Sequence, residues 1–266
     1  MLSTAHRVAV TPPPPEFADR YQSVTFETVD GLELSAWYIP GSRPEGIVLI
    51  HGINYNRFGL LPEAIVLAEA GYHLIMPDLR GHGESEGYTI SYGYYEAYDV
   101  QAATDFLLAQ TGVERVAALG TSFGGSAVAR AAAQDERLAG VIIQSSFSSL
   151  PFAVERSFTN YTGLPKWPLA PIMTTLMEFR IGIDANDIDT SRDLAKMSPR
   201  PVMIIHGTQD HLFVVDHAQQ MYDAINGPKS LWIVEGMGHN SPVYEDGLEY
   251  RKRVLSFLDW VFGPDN

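Results

Sequence analysis

Residues 116–133 read VAALGTSFGGSAVARAAA: an apolar run, a tight turn around Ser122, then a stretch of small residues with helical character. The pattern Gly120-Thr121-Ser122-Phe123-Gly124 is weak as a bare G-x-S-x-G, and gains its weight from the strand before it and the helix after it. A serine on such a turn is held so that its Oγ projects above the strand end. Gly120 and Gly124 let neighbouring backbone pass close by, with no Cβ in the way. The following helix directs its first N–H groups and the positive end of its dipole at the same point, which favours an oxyanion. Ser122 is therefore the candidate nucleophile and the Phe123 N–H a candidate oxyanion donor. The competing reading is a glycine-rich turn that merely packs a strand against a helix.

Outward from this stretch the chain alternates between two periodicities. VTFETVDGLELSAWYIP, from Val24, reads as a β-hairpin about Asp30-Gly31. Residues 46–50 (GIVLI) form a continuous apolar run, as expected of a strand buried on both faces. Helical spacing over 60–70 is followed by the strand-like YHLIMPD. Helices are then expected at 94–111, 126–134, 215–225 and 247–262, and strands at 116–119, 140–143, 202–205 and 230–234. This rhythm predicts an α/β fold, with a mostly parallel central sheet and helices on both faces.

Residues 146–193 break the rhythm, with several prolines and no strand-like run. The segment is too long for a bare loop. It predicts a small helical cap, with helices near 150–158 and 168–179, at the C-terminal edge of the sheet where open α/β sheets bind ligands. The expected division is an N-terminal extension at 1–20, a core at 21–145 and 194–266, and the cap at 146–193. The cap holds Phe147, Phe152, Phe158, Tyr161, Trp167, Met173, Met177 and Phe179. These either line an apolar substrate pocket or form the cap's own core.

His239 lies in GMGHNSP, between the strand SLWIVE and the last helix, and Asp210 ends the run VMIIHGTQD. Both fall at C-terminal strand ends, as Ser122 does. His239 is the expected base, and Asp210 the acid that fixes its tautomer and stabilises the imidazolium. Asp216 is the nearest acidic competitor but reads as the start of a helix. His211 and Asn54 are further pocket candidates. After the GIVLI strand, His51-Gly52-Ile53-Asn54 offers the Ile53 N–H as second oxyanion donor, and His51 reads as structural. A metal site on His51 and His206 is disfavoured: there is no H-E-x-x-H and no cysteine cluster. DLRGHGES (78–85) lacks the arrangement of a phosphate cradle, so Asp78 and Arg80 read as residues that tie loops together.

With 32 acidic against 18 basic residues the net charge is -14, a surface that repels nucleic acid. The absence of cysteine excludes a disulfide framework, a thiolate metal site and a cysteine nucleophile. Residues 1–20 show no signal-like apolar run, and no stretch is long enough to span a bilayer. A cytoplasmic enzyme, monomer or homodimer, needing no cofactor, is the expectation.

These motifs together resemble a known family. HGxN, DLRGHGxS, GTSFGG, HGTQD and GxGH occur in the order seen in α/β-hydrolases, over about residues 24–262. DGLELSAWYIP and SSFSSLP look like the Bem46-like and serine aminopeptidase-like group. The resemblance implies Ser122, Asp210 and His239 as a triad and the Phe123 and Ile53 N–H groups as oxyanion hole. The cap aromatics, read as the lining of an apolar acyl pocket, favour a serine hydrolase acting on small to medium carboxylic esters, with a thioesterase or aminopeptidase as the alternative enzyme. A non-catalytic, hydrolase-like binding protein is the alternative outside enzymes.

Overall fold

The computed structural model describes residues 6–263 except 19 and 240, and leaves aside the side chains of 16, 18, 160 and 161. Its centre is a sheet of eight strands: β1 (Gln22–Glu27), β2 (Glu33–Ile39), β3 (Glu45–Ile50), β4 (His73–Pro77), β5 (Arg115–Thr121), β6 (Leu138–Gln144), β7 (Val202–Gly207) and β8 (Lys229–Val234). They lie in the order β1-β2-β4-β3-β5-β6-β7-β8. The β1–β2 hairpin joins antiparallel to β4, and from β4 onward every pairing is parallel. The sheet is thus mostly parallel, as the alternating rhythm requires. β3, β4 and β7 are buried throughout, which is why they read as continuous apolar runs rather than as alternation.

Helices cover both faces. One apolar cluster joins the sheet to α3 (Glu96–Leu108), α4 (Phe123–Gln134) and α8 (Asp216–Ala224), through Val100, Ala127, Val128 and Ala218. The other joins it to α2 (Leu61–Glu69) and α9 (Pro242–Phe262), through Leu67, Tyr250 and Phe257. The short α1 (Pro15–Ala18) adds Phe17 to this second cluster, so the proline-bearing N-terminal stretch packs onto the core.

Two helix starts differ from the sequence reading by three residues or more. α4 begins at Phe123, three residues before the expected start, although Gly124 and Gly125 are poor helix formers. Close approach decides: a Cβ on Gly124 would lie 2.5 Å from the His51 carbonyl oxygen. α9 begins at Pro242 rather than 247, with an extra turn capped by Ser241 and a break at Asp246. Pro242 at the first helical position makes that early start favourable.

In the segment between β6 and β7, α5 (Leu150–Thr162) and α6 (Lys166–Ile181) are joined by a short connection. Ser149 caps α5, and Gly163 ends it in the left-handed conformation. α6 has its N-terminal turn kinked at Trp167. The two helices share a satellite core of Phe147, Leu150, Ala153, Met177, Ile181 and Ile188. α7 (Thr190–Ala195) starts inside the stretch assigned to the cap but packs against α4 and α8. Its Leu194 belongs to the core of the sheet.

Candidate active site

Parallel strands bring their C-terminal ends to one edge, and the chemistry-bearing residues leave from that edge. Ser122 follows β5 directly, with φ 54° and ψ -126°, a conformation that a non-glycine residue adopts only under constraint. The constraint is visible on both sides. The Ser122 N–H donates to the Gln144 carbonyl at the end of β6 (2.8 Å), and the Ser122 carbonyl accepts from the Gly125 N–H in the first turn of α4 (3.0 Å). Gly120 has the Gly124 carbonyl oxygen 2.4 Å from where a Cβ would stand, so the turn closes only on glycine.

The side chains expected to act together lie in one hydrogen-bonded line. Ser122 Oγ donates to His239 Nε2 at 2.9 Å, and His239 Nδ1 donates to Asp210 Oδ2 at 2.7 Å. The second oxygen of Asp210 accepts from the Leu212 and Phe213 N–H groups, at 2.9 and 2.8 Å. Those bonds fix the carboxylate plane. Asp210 and Ser122 are buried, while His239 keeps about a quarter of its side chain open to solvent. Asp216, the competing acid, sits at the start of α8 and pairs with Arg156 of α5 at 3.0 Å.

Phe123 begins α4, where the first N–H groups have no partner within the helix. Ile53 stands in the loop after β3. Its neighbour Asn54, in a left-handed conformation, donates its own N–H to His82 Nε2 at 3.3 Å. The Asn54 amide is thereby occupied, and its exposed side chain accepts from the His6 N–H. His82 in turn donates from Nδ1 to the Arg80 carbonyl at 3.0 Å. His51 donates from Nδ1 to the Gly52 carbonyl (2.7 Å) and accepts the Leu79 N–H on Nε2 (3.0 Å). Burial pushes His51 down to about 4 and His82 down to about 3, so both are neutral props of the loop. Beneath them Asp78 holds the Arg57 guanidinium at 2.6 Å, and Arg80 joins Asp99 and Asp30, each at 2.7 Å.

The pocket candidates divide. Phe147 and Met177 are buried in the satellite core of α5 and α6, Phe152 packs edge-on against His217, and Met173 is half-buried. Trp167 is a correction: at 77 % exposure it lines an open cleft of about 410 Å³ between α5 and α6, whose walls are residues of those helices and not Ser122 or His239. Phe179 is 90 % exposed, Phe158 is buried, and His211 is exposed on the loop after Asp210. The Tyr161 side chain lies outside the described residues.

Sequence reasoning missed Phe213. Its ring stands edge-on to His239 with centroids 5.4 Å apart, touches Phe147 at 5.3 Å, and so joins the histidine to the satellite core. Its carbonyl accepts from His206 Nε2 at 2.6 Å, which holds the loop that carries Asp210. The available signal was position: an aromatic three residues past the acid, on the same loop.

The sheet order, with a serine turn leading from β5 straight into α4, is that of the α/β-hydrolase fold. Comparison with known proteins agrees. The family described as the alpha/beta hydrolase fold matches residues 46–170. The chain is 29% identical over 237 residues to the uncharacterized protein YqkD of Bacillus subtilis (strain 168), covering 86% of this chain and 76% of that protein. It is 25% identical over 262 residues to the alpha/beta hydrolase domain-containing protein WAV2 of Arabidopsis thaliana, covering 90% and 79%. In fold it resembles the Pyrococcus furiosus esterase Pf2001, with a TM-score of 0.82, 23% identity and 98% of each chain covered. The chain has the α/β-hydrolase fold. Among the described residues, no helix is long and apolar enough to cross a membrane.

Proposed function

We propose that the protein is a serine hydrolase that cleaves carboxylic esters of small to medium size through an acyl-enzyme. Ser122 Oγ attacks the ester carbonyl while His239 Nε2 takes its proton. Asp210 Oδ2, accepting from His239 Nδ1, holds the imidazole in the tautomer that presents Nε2 and stabilises the imidazolium. The Phe123 and Ile53 N–H groups receive the negative charge on the former carbonyl oxygen. His239 then returns the proton to the departing alcohol. A water molecule, deprotonated by the same nitrogen, releases the acid and restores Ser122.

The observation that carries this reading is the line from Ser122 Oγ through His239 to Asp210, at 2.9 and 2.7 Å. The likeness in fold to a known esterase supports it. On the substrate side, the support is apolar: Phe213 beside His239, and Tyr92 edge-on to Phe123 with centroids 6.4 Å apart. We further assign α5 and α6 as a cap, because their satellite core reaches this edge through Tyr92 and Phe213.

A fluorophosphonate probe read by intact mass tests the reading. One adduct on the wild type and none on Ser122→Ala is expected, followed by turnover of p-nitrophenyl esters that peaks at short to medium acyl chains. A folded wild type that takes no adduct sinks it.

A further inference from the structure

Three segments carry the parts of the site, and behind them lies a polar cluster with no exposed atoms to explain it. Glu63, in the first turn of α2, is completely buried, as are Gln144 at the end of β6 and Tyr250 in α9. Gln144 Nε2 donates to Glu63 Oε1 at 3.2 Å, and the Tyr250 hydroxyl donates to Gln144 Oε1 at 2.9 Å. The backbone carbonyl of the same Gln144 accepts the Ser122 N–H at 2.8 Å. On its other side the Glu63 carboxyl meets the hydroxyl of Ser241, two residues past His239, while Oε2 has no partner at full hydrogen-bond distance. Burying a carboxyl without a cation is costly, and burial raises its affinity for a proton. Among the described residues, the polar or titratable groups that face it are Ser241, Gln144, Tyr244 and Tyr250, none of them cationic.

We propose that Glu63 is a positioning residue that clamps the loop bearing His239, through Ser241, to the strand end that anchors Ser122, through Gln144. This rests on the serine-hydrolase reading of the site. The carboxyl can serve both segments, since Oε1 accepts from Gln144 and the Ser241 hydroxyl is a donor that faces the same group. The clamp spans residues far apart in sequence. Its effect falls on geometry between nucleophile and base, where a displacement of about 1 Å is worth up to about a hundredfold in rate.

The test is the rate at which the fluorophosphonate acylates Ser122, with ester kcat and KM measured alongside. Glu63→Leu is expected to slow acylation and kcat about tenfold or more, with KM changed little. Glu63→Gln, which keeps the size of the side chain and an oxygen that accepts from Gln144, is expected to restore the rate to within about twofold. Ser241→Ala is expected to slow it too, and to add nothing to the effect of Glu63→Leu. A folded Glu63→Leu that acylates at the wild-type rate overturns the proposal, as does a Glu63→Gln as slow as Glu63→Leu. Should Glu63→Leu fail to fold, Ser241→Ala decides, and its acylation at the wild-type rate overturns the clamp. A wild type that takes no label fails at the earlier step and removes the serine-hydrolase reading itself, with this inference.

Discussion

The edge that carries Ser122 and the helical segment above it are built on opposite principles. At the edge, each side chain answers to several partners: Ser122 is held by Gln144 and Gly125, and Asp210 by two amide donors besides His239. Glycines there admit no alternative packing. In α5 and α6, a small satellite core supports helices whose outer faces leave Trp167, Ile172, Leu176 and Phe179 in solvent. The first region tolerates almost no movement because strain at Ser122 persists only when its surroundings over-determine it. The second rests on a small apolar cluster, and segments held in that way open more readily than a main core.

The comparison can be broken most decisively at Asp210. Asp210→Asn keeps a carbonyl for the Leu212 and Phe213 amides but presents an N–H donor to His239 Nδ1. The wrong tautomer follows, and kcat on p-nitrophenyl acetate is expected to fall about 10⁴-fold with little change in melting temperature. A fall under about tenfold would dissociate Asp210 from the chemistry.

Packing comes next. Gly124→Ala places a methyl against the His51 carbonyl, at 2.5 Å, where backbone cannot yield. A loss of about 3 kcal/mol or more in urea unfolding is expected, or failure to fold. Met177→Ala in the satellite core removes a buried side chain and is expected to cost about 2 kcal/mol or more. If Gly124→Ala proves the milder of the two, the edge is less constrained than its contacts imply.

Acid sharpens the contrast through three histidines kept neutral by burial. His51 and His82 beneath the edge fall to about 4 and about 3, and His217 beneath α5 falls to about 4. Each binds a proton in the unfolded chain below about 6.5 but not in the folded one. Between those limits the unfolded state holds more protons, so stability drops as pH falls from about 6.5 toward 4, at up to roughly 1.4 kcal/mol per pH unit for each histidine. Urea midpoints measured at pH 7, 6 and 5 should decline, and His217→Asn should flatten part of the slope. Midpoints unchanged down to pH 5 would contradict neutral burial at all three. The smallest effect is expected at Phe179→Ser, where the ring is already in water: the melting free energy should move by no more than about 0.5 kcal/mol.

How much of this was legible beforehand follows the same division. Ser122, Asp210 and His239 stand at strand ends marked by glycine-bearing turns, and local signals located all three. Their hydrogen-bonded line was not legible as geometry, since 117 residues separate His239 from Ser122. Glu63 sits in LLPEAIVLAEA with nothing local to set it apart, and the helical period carries no sign that its face meets Gln144. In residues 146–193 the aromatic content was plain but its direction was not. Phe147 and Met177 turned inward, and Trp167 and Phe179 outward.

What the amino-acid order settled here is local: which runs are strands, which are helices, where turns demand glycine, and which residue types stand at strand ends. Those follow from backbone sterics and the periods of burial, which act over a few residues. What the assembled fold alone settled is pairwise. It chose the place of β3 between β4 and β5, the early start of α4, Phe213 beside His239 and Glu63 against Gln144. Each of these depends on which distant surface packs against which, and a pattern of apolar and polar residues names a buried face without naming its partner.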